Sequence, residues 1–125
     1  MPDIPRLYHL VHLWIELTRQ LHKAMAPDLQ RQFGSRASLL LIGAAVYLGT
    51  IEARPLTATK LADYIGIPRV TVIRHLRTLC RRGAVEKIGY YYRTPAKRLD
   101  RIARDDHGTV VDLVRATADK LRRPR

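Results

Sequence analysis

The sequence predicts a mainly α-helical fold with one small β-hairpin, organised as a single domain with helical arms. Three observations carry that expectation. Apolar residues recur at three- and four-residue steps over long runs near both ends of the chain. A Gly66-Ile67-Pro68 corner divides the stretch LADYIGIPRVTVIRHLRTL, Leu61 to Leu79, into two short amphipathic segments. Just beyond, at Ala84 to Thr94, two β-prone runs meet around Gly89. The expected division is 1–53 for N-terminal helices, 54–94 for the helical pair with its hairpin, and 95–125 for C-terminal helices and a basic tail.

The elements follow in order. Leu7, Leu10, Val11, Trp14, Leu17, Leu21 and Met25 form one helical stripe, bounded by Pro5 and Pro27. A rod of that length, ~28 Å, exceeds what a small head needs to close its own core. Residues 26–36 read as a connection. The next helix, about Ser35 to Ala53, is apolar on nearly every face, so the rest of the domain or another subunit must cover it. Gly43 and Gly49 inside it mark close helix contact. Arg54-Pro55-Leu56 is short and extended. Thr57 caps a helix over Ala58–Ile65, Gly66 turns the chain, and Pro68 suits the first turn of a helix ending near Gly83. After the hairpin, Thr94-Pro95 opens a helix edged by Leu99, Ile102 and Ala103. Gly108 interrupts it near His107, and Thr109-Val-Val-Asp112 resembles a capping box for a last helix carrying Val110, Leu113, Val114, Thr117 and Leu121 on one face. Residues 122–125 read as a frayed basic tail.

Composition narrows the function. An apolar fraction of 46% in 125 residues supports a packed core. The single cysteine, Cys80, forms no intrachain disulfide, and MPDIPRLYHL lacks the zones of a secretory signal. Both lead to an expected cytoplasmic location. The run Ala37–Ile51 is uncharged but shorter than the ~20 residues of a membrane span. The net charge is +12, and its location matters more than its size. Between Arg54 and Arg98 there are 11 Lys or Arg against 2 acidic residues, a local excess of +9 that calls for a polyanionic partner.

On a helical wheel the segment after the corner separates into two faces. Val72, Ile73, Leu76, Leu79 and Cys80 form a core stripe. Val70, Thr71, Arg74, Arg77, Thr78 and Arg81 point away from it, with His75 and Arg82 at one border and Arg69 in the first turn. A helix that enters a major groove needs this division, because arginines take guanine edges while Thr and Arg grip phosphates.

The pattern L-A-x-x-I-G-I-x-x-x-T-V-x-R-x-L-x-x-L, carried by Leu61, Ala62, Ile65, Gly66, Ile67, Thr71, Val72, Arg74, Leu76 and Leu79 and followed by Gly83 and a hairpin, resembles the winged helix-turn-helix of bacterial transcriptional regulators. With its long first helix, apolar second helix and C-terminal helices, the layout looks like the MarR family and, less closely, the DNA-binding head of the IclR family. The wing departs from the MarR pattern: it lacks the Asp-x-Arg element and offers Lys87, Tyr90, Tyr91, Tyr92 and Arg93 instead. The resemblance implies a homodimeric bacterial regulator, nucleoid-associated and acting as a repressor on palindromic double-stranded DNA. The expected DNA-binding residues are Thr57, Lys60, Arg69, Val70, Thr71, Arg74, Arg77, Thr78, Arg81, Lys87 and Arg93. The expected dimer interface is Leu7, Leu10, Trp14, Leu17, Leu21, Val110, Leu113, Val114 and Leu121.

Other chemistries have less behind them. His9, His12 and Glu16 have metal-compatible spacing, but the wheel sets them opposite the apolar stripe as a solvent-facing row, so no metal is expected. Cys80 could be activated by Arg81 and Arg82, yet it lies beside Ile73 and Leu76, where a small apolar filler belongs. No phosphate loop, nucleophile motif or apolar carboxylate pair suggests an enzyme, and Asp105-Asp106 reads as a helix-end or surface pair. No cofactor and no membrane partner are expected, and no residue pattern identifies a small-molecule effector. The competing functions are a plasmid or phage replication or partition accessory protein with the same head, and a winged-helix module that binds protein.

Overall fold

The computed structural model describes residues 4–25, 36–104 and 107–122. Among these residues six helices and a three-stranded sheet follow in the order α1 (Ile4–Met25), α2 (Arg36–Ile51), β1 (Leu56–Thr57), α3 (Ala58–Ile65), α4 (Arg69–Arg81), β2 (Glu86–Ile88), β3 (Tyr91–Arg93), α5 (Ala96–Arg104) and α6 (Gly108–Arg122). This is the expected mainly helical fold with a small β wing. Of the expected connection over 26–36 and the expected tail 122–125, Arg36 opens α2 and Arg122 ends α6; their other residues and the pair Asp105-Asp106 lie outside the described residues, as do the side chains of Leu7, Leu21 and Met25.

One core joins the middle of the chain. Leu39, Ile42, Ala45 and Val46 of α2 meet Ala58 and Leu61 of α3, Val72, Leu76 and Leu79 of α4, then Ala84, Val85 and Tyr92. Burying each of the larger aliphatic side chains contributes roughly 1.5–3 kcal/mol. The core is apolar and shared, so α3, α4 and the wing are held as a unit on α2. The long α1 packs on α6 and, less extensively, on α2.

Two helix ends have the same construction. At the end of α4, the Gly83 N–H donates to the Cys80 carbonyl (3.1 Å) and the Ala84 N–H to the Leu79 carbonyl (2.9 Å), with Gly83 at φ 74°. These are the two bonds of a Schellman motif, and the buried Ala84 and Leu79 belong to the same core cluster. At the end of α2, Ala53 N–H donates to Thr50 (3.1 Å) and Arg54 N–H to Gly49 (2.8 Å), but the left-handed position holds Ala53, at φ 56°. The hairpin turn is Gly89-Tyr90 between the paired residues Ile88 and Tyr91. Positive φ at Gly89 alone fits a type II′ turn.

Several local expectations are corrected. The first helix begins at Ile4 and takes Pro5 into its first turn, where the missing N–H is harmless. The extended segment after Pro55 becomes a third strand: Leu56 and Thr57 pair antiparallel with Tyr92 and Tyr91, giving the sheet order β1-β3-β2. Pro68 is the N-cap of α4, and its carbonyl accepts from Val72 N–H at 3.0 Å. Thr109 is inside α6: His107 supplies the first carbonyl, to Val111 N–H at 3.0 Å, and its ring Nε2 lies 3.0 Å from the Ile102 carbonyl at the end of α5. That imidazole links the end of α5 to the start of α6. A Cβ on Gly43 would meet nothing within 4 Å, so that glycine marks no close contact. Gly49 does, but with backbone: a Cβ there would lie 2.9 Å from the Arg54 carbonyl oxygen of the turn that closes α2.

Candidate nucleic-acid interface

The head is held by helix caps as well as by packing. Thr57 Oγ1 accepts from Lys60 N–H (3.2 Å) to start α3, and Gly66, left-handed at φ 82°, ends it by donating its N–H to Ala62. The chain then turns through Ile67, half-buried against the core, into Pro68. No side chain caps α4. The N–H groups of Arg69, Val70 and Thr71 therefore lead the helix with no intrahelical acceptor, and with the positive end of its dipole.

Along α4 the two faces separate sharply. Val72, Leu76 and Leu79 are buried, while Val70, Arg74, Arg77 and Arg81 are exposed. The exposed four are spaced i, i+4, i+7, i+11, a straight row of ~16 Å on one side of the helix. Val70 is 81% exposed, an apolar residue at the head of a cationic row. Arg69 and Lys60 are also exposed; Thr57, Thr71 and Thr78 are half-buried. The Thr78 hydroxyl is already engaged, lying 3.5 Å from the Arg74 carbonyl and 3.3 Å from Arg81 Nη2.

The wing divides its tyrosines by the strand alternation. Tyr92 is buried, whereas Tyr91 is exposed and Tyr90, at the tip, is 83% exposed. Lys87 faces Tyr92 across the strands and holds its ammonium 5.8 Å from the ring centroid, an exposed cation steadied by an aromatic face. Arg93 faces Glu86 across the same pair; its Nε is 3.1 Å from Glu86 Oε1 but not aligned for a hydrogen bond. Both side chains are partly solvated, so this ion pair contributes at most about 1 kcal/mol and yields easily to a competing phosphate.

His75 is the residue the wheel misplaced. It is 6% exposed, in the wall of the core rather than at its border, and burial followed by the neighbouring Arg74 charge holds its pKa below the usual imidazole value. The ring is therefore kept neutral. Cys80 packs partly buried on the core, and burial pushes its thiol pKa up, offset in part by Lys87 on β2 rather than by the neighbouring arginines. That is the opposite of an activated thiolate. On α1, His12 is exposed but His9 and Glu16 are half-buried, so the expected row does not face solvent along its length. Glu16 pairs with Arg19 at 3.0 Å, and no group of three metal-ligating side chains occurs among the described residues. No described helix is long and apolar enough to cross a membrane.

A second cationic feature escaped the residue-by-residue reading. Lys97, Arg101 and Arg104 are exposed at i, i+4 and i+7 on α5, opposite the buried Ile102. The signal is present in the sequence as i, i+4, i+7 spacing of Lys97, Arg101 and Arg104.

No curated protein and no solved structure matches the chain. A family described as the Crp-like helix-turn-helix domain matches residues 37–107, from the start of α2 to the residue before α6. That span contains the shared core, the α3–corner–α4 pair and the whole wing, and it supports double-stranded DNA binding in transcription regulation. Because the match covers more than half of the chain, with α3, α4 and the wing inside it, the chain belongs to the Crp-like helix-turn-helix family.

Proposed function

We propose that the chain is a sequence-specific, dimeric transcriptional regulator acting as a repressor. The observation that carries the DNA-reading role is the exposed row Val70–Arg74–Arg77–Arg81 on a helix whose opposite face is locked in the core. Arg74 and Arg77 take base edges, Val70 meets a thymine methyl, and the leading N–H groups with Thr57, Lys60 and Thr71 hold phosphates. Lys87 and Arg93 extend the contact from the wing.

Dimerisation is supported by apolar side chains that the chain leaves uncovered. Leu10, Trp14 and Ile15 on α1, Leu41, Leu48 and Ile51 on α2, and Val111 and Val114 on α6 are exposed, while Leu17, Val110, Leu113 and Leu121 are half-buried. The segments flanking the head, 1–53 and 95–125, thus supply the dimer in the manner of MarR-like regulators, in a bacterial cytoplasm. Two recognition helices then sit ~34–36 Å apart, or a multiple of it, on a palindromic site.

Selection from a random duplex library, followed by titration of the selected site, tests the base-reading role. Arg74→Ala should cost ~1–3 kcal/mol and relax preference at one position, whereas Lys87→Ala should weaken all sequences alike and reduce the salt slope by about one. Equal losses on selected and random DNA for Arg74→Ala would remove Arg74 from base recognition.

A further inference from the structure

The C-terminal end of α4 and the outer face of α5 border a cleft lined by Arg82, Lys97, Arg98, Arg101 and Arg104, with Asp100 as the one acidic side chain among the described residues that line it. Lys97, Arg101 and Arg104 run along α5 at one-turn intervals, a row of ~10 Å. Arg82 caps α4 immediately after Arg81, the last member of the exposed row on that helix. Arg82 thus joins the end of the α4 row to the α5 residues that line the cleft with it. No aromatic side chain lines the cleft among the described residues, so it offers nothing for an unstacked base to rest on. Charge without stacking groups suits a phosphate backbone.

We propose that this cleft is a second DNA-backbone site, which grips phosphates of the same duplex beyond the segment read by α4. The inference rests on the DNA-binding function proposed above and deepens it: α5 adds affinity and footprint length and carries no base recognition. Exposed side chains at the rim of a cleft replace condensed counterions at the phosphates, so their contribution is written in the salt dependence of binding.

The test uses the full chain, a labelled duplex of mixed sequence, and titrations over a range of salt. The triple variant Lys97→Gln/Arg101→Gln/Arg104→Gln removes the α5 row. A control, Arg115→Gln/Lys120→Gln/Arg122→Gln, removes the same charge from exposed positions on α6. Each lost phosphate contact lowers the slope of log K against log salt by about 0.9. The α5 variant should lose about 2–3 in slope and bind roughly tenfold or more weakly near 0.1 M salt, while the α6 control keeps the wild-type slope. Circular dichroism melts confirm that both variants fold. A folded α5 variant with the wild-type slope overturns the proposal, and so does an equal fall in both variants, which would make the effect one of net charge. If the wild-type chain fails to bind duplex DNA, the DNA-binding function itself falls. If Arg74→Ala weakens binding and the α5 variant does not, only the second site falls.

Discussion

Replacing Ala53 with glycine should stabilise the protein, and replacing Gly83 with alanine should destabilise it, although each change is a single methyl group far from any crowded contact. Both residues occupy the left-handed position of a Schellman motif, at φ 56° and 74°. A side chain in that conformation costs roughly 1–2 kcal/mol through its clash with the following carbonyl. Glycine escapes that cost but loses more backbone freedom on folding, worth about 0.4–1 kcal/mol in the opposite direction. The net expectation is a gain of about 0.5–1 kcal/mol for Ala53→Gly and a loss of the same size for Gly83→Ala. At Gly83 a Cβ would meet nothing within 4 Å, so no steric contact adds to the backbone cost. For a chain of 125 residues such changes move Tm by about 2–4 °C, readable by thermal circular dichroism and by urea titration. The Gly83 change has a functional reach, because that motif sets the angle at which the wing leaves α4. A fall in Tm for Ala53→Gly, with an intact fold, would refute the claim that the α2 turn is strained.

Other expected outcomes follow from the same geometry. Gly49→Ala should be more damaging than either change above, since its Cβ would press on the Arg54 carbonyl at 2.9 Å and on Leu56 at 3.4 Å; a melting temperature equal to wild type would show that the turn can yield. Neutral His75 makes stability pH-dependent. Its folded pKa is lowered, so the unfolded chain binds the extra proton first, and its stabilising contribution is full above about pH 6.5 and is lost as pH falls through the lowered value. Urea titrations at neutral and mildly acidic pH should show a smaller acid loss for His75→Gln than for wild type; equal losses would place the sensitivity elsewhere. Trp14→Glu puts charge on a side chain that is 66% exposed and should convert the proposed dimer to a monomer in ultracentrifugation, while a wild-type chain that already sediments at 14.3 kDa would remove the dimer.

The helical pair and the cationic face were legible before any coordinates because each rests on local rules. Thr57, Gly66 and Pro68 act on backbone within a turn or two of themselves, and the 3.6-residue period sorts Val72, Leu76 and Leu79 from Val70, Arg74 and Arg77 without reference to anything else in the chain. Gly83 and Gly89 mark a helix end and a hairpin for the same reason.

What tertiary packing decided was everything that depends on residues distant in sequence. A two-residue segment such as Leu56–Thr57 has no periodicity to detect; it becomes a strand only because Tyr91 and Tyr92, more than thirty positions later, present a free sheet edge. His75 sits at the polar boundary of its own helix, and only the arrival of other elements turns that boundary into core. Thr50 is one hydroxyl in an apolar helix until Thr94 folds onto it, donating its N–H at 2.9 Å while Thr50 in turn donates to the Val46 carbonyl at 2.8 Å. The α5 row gains meaning in the same way: its spacing is written in the chain, but only the fold sets it beside Arg82 at the end of α4. Local conformational preference is encoded residue by residue, whereas burial and adjacency belong to the assembled molecule.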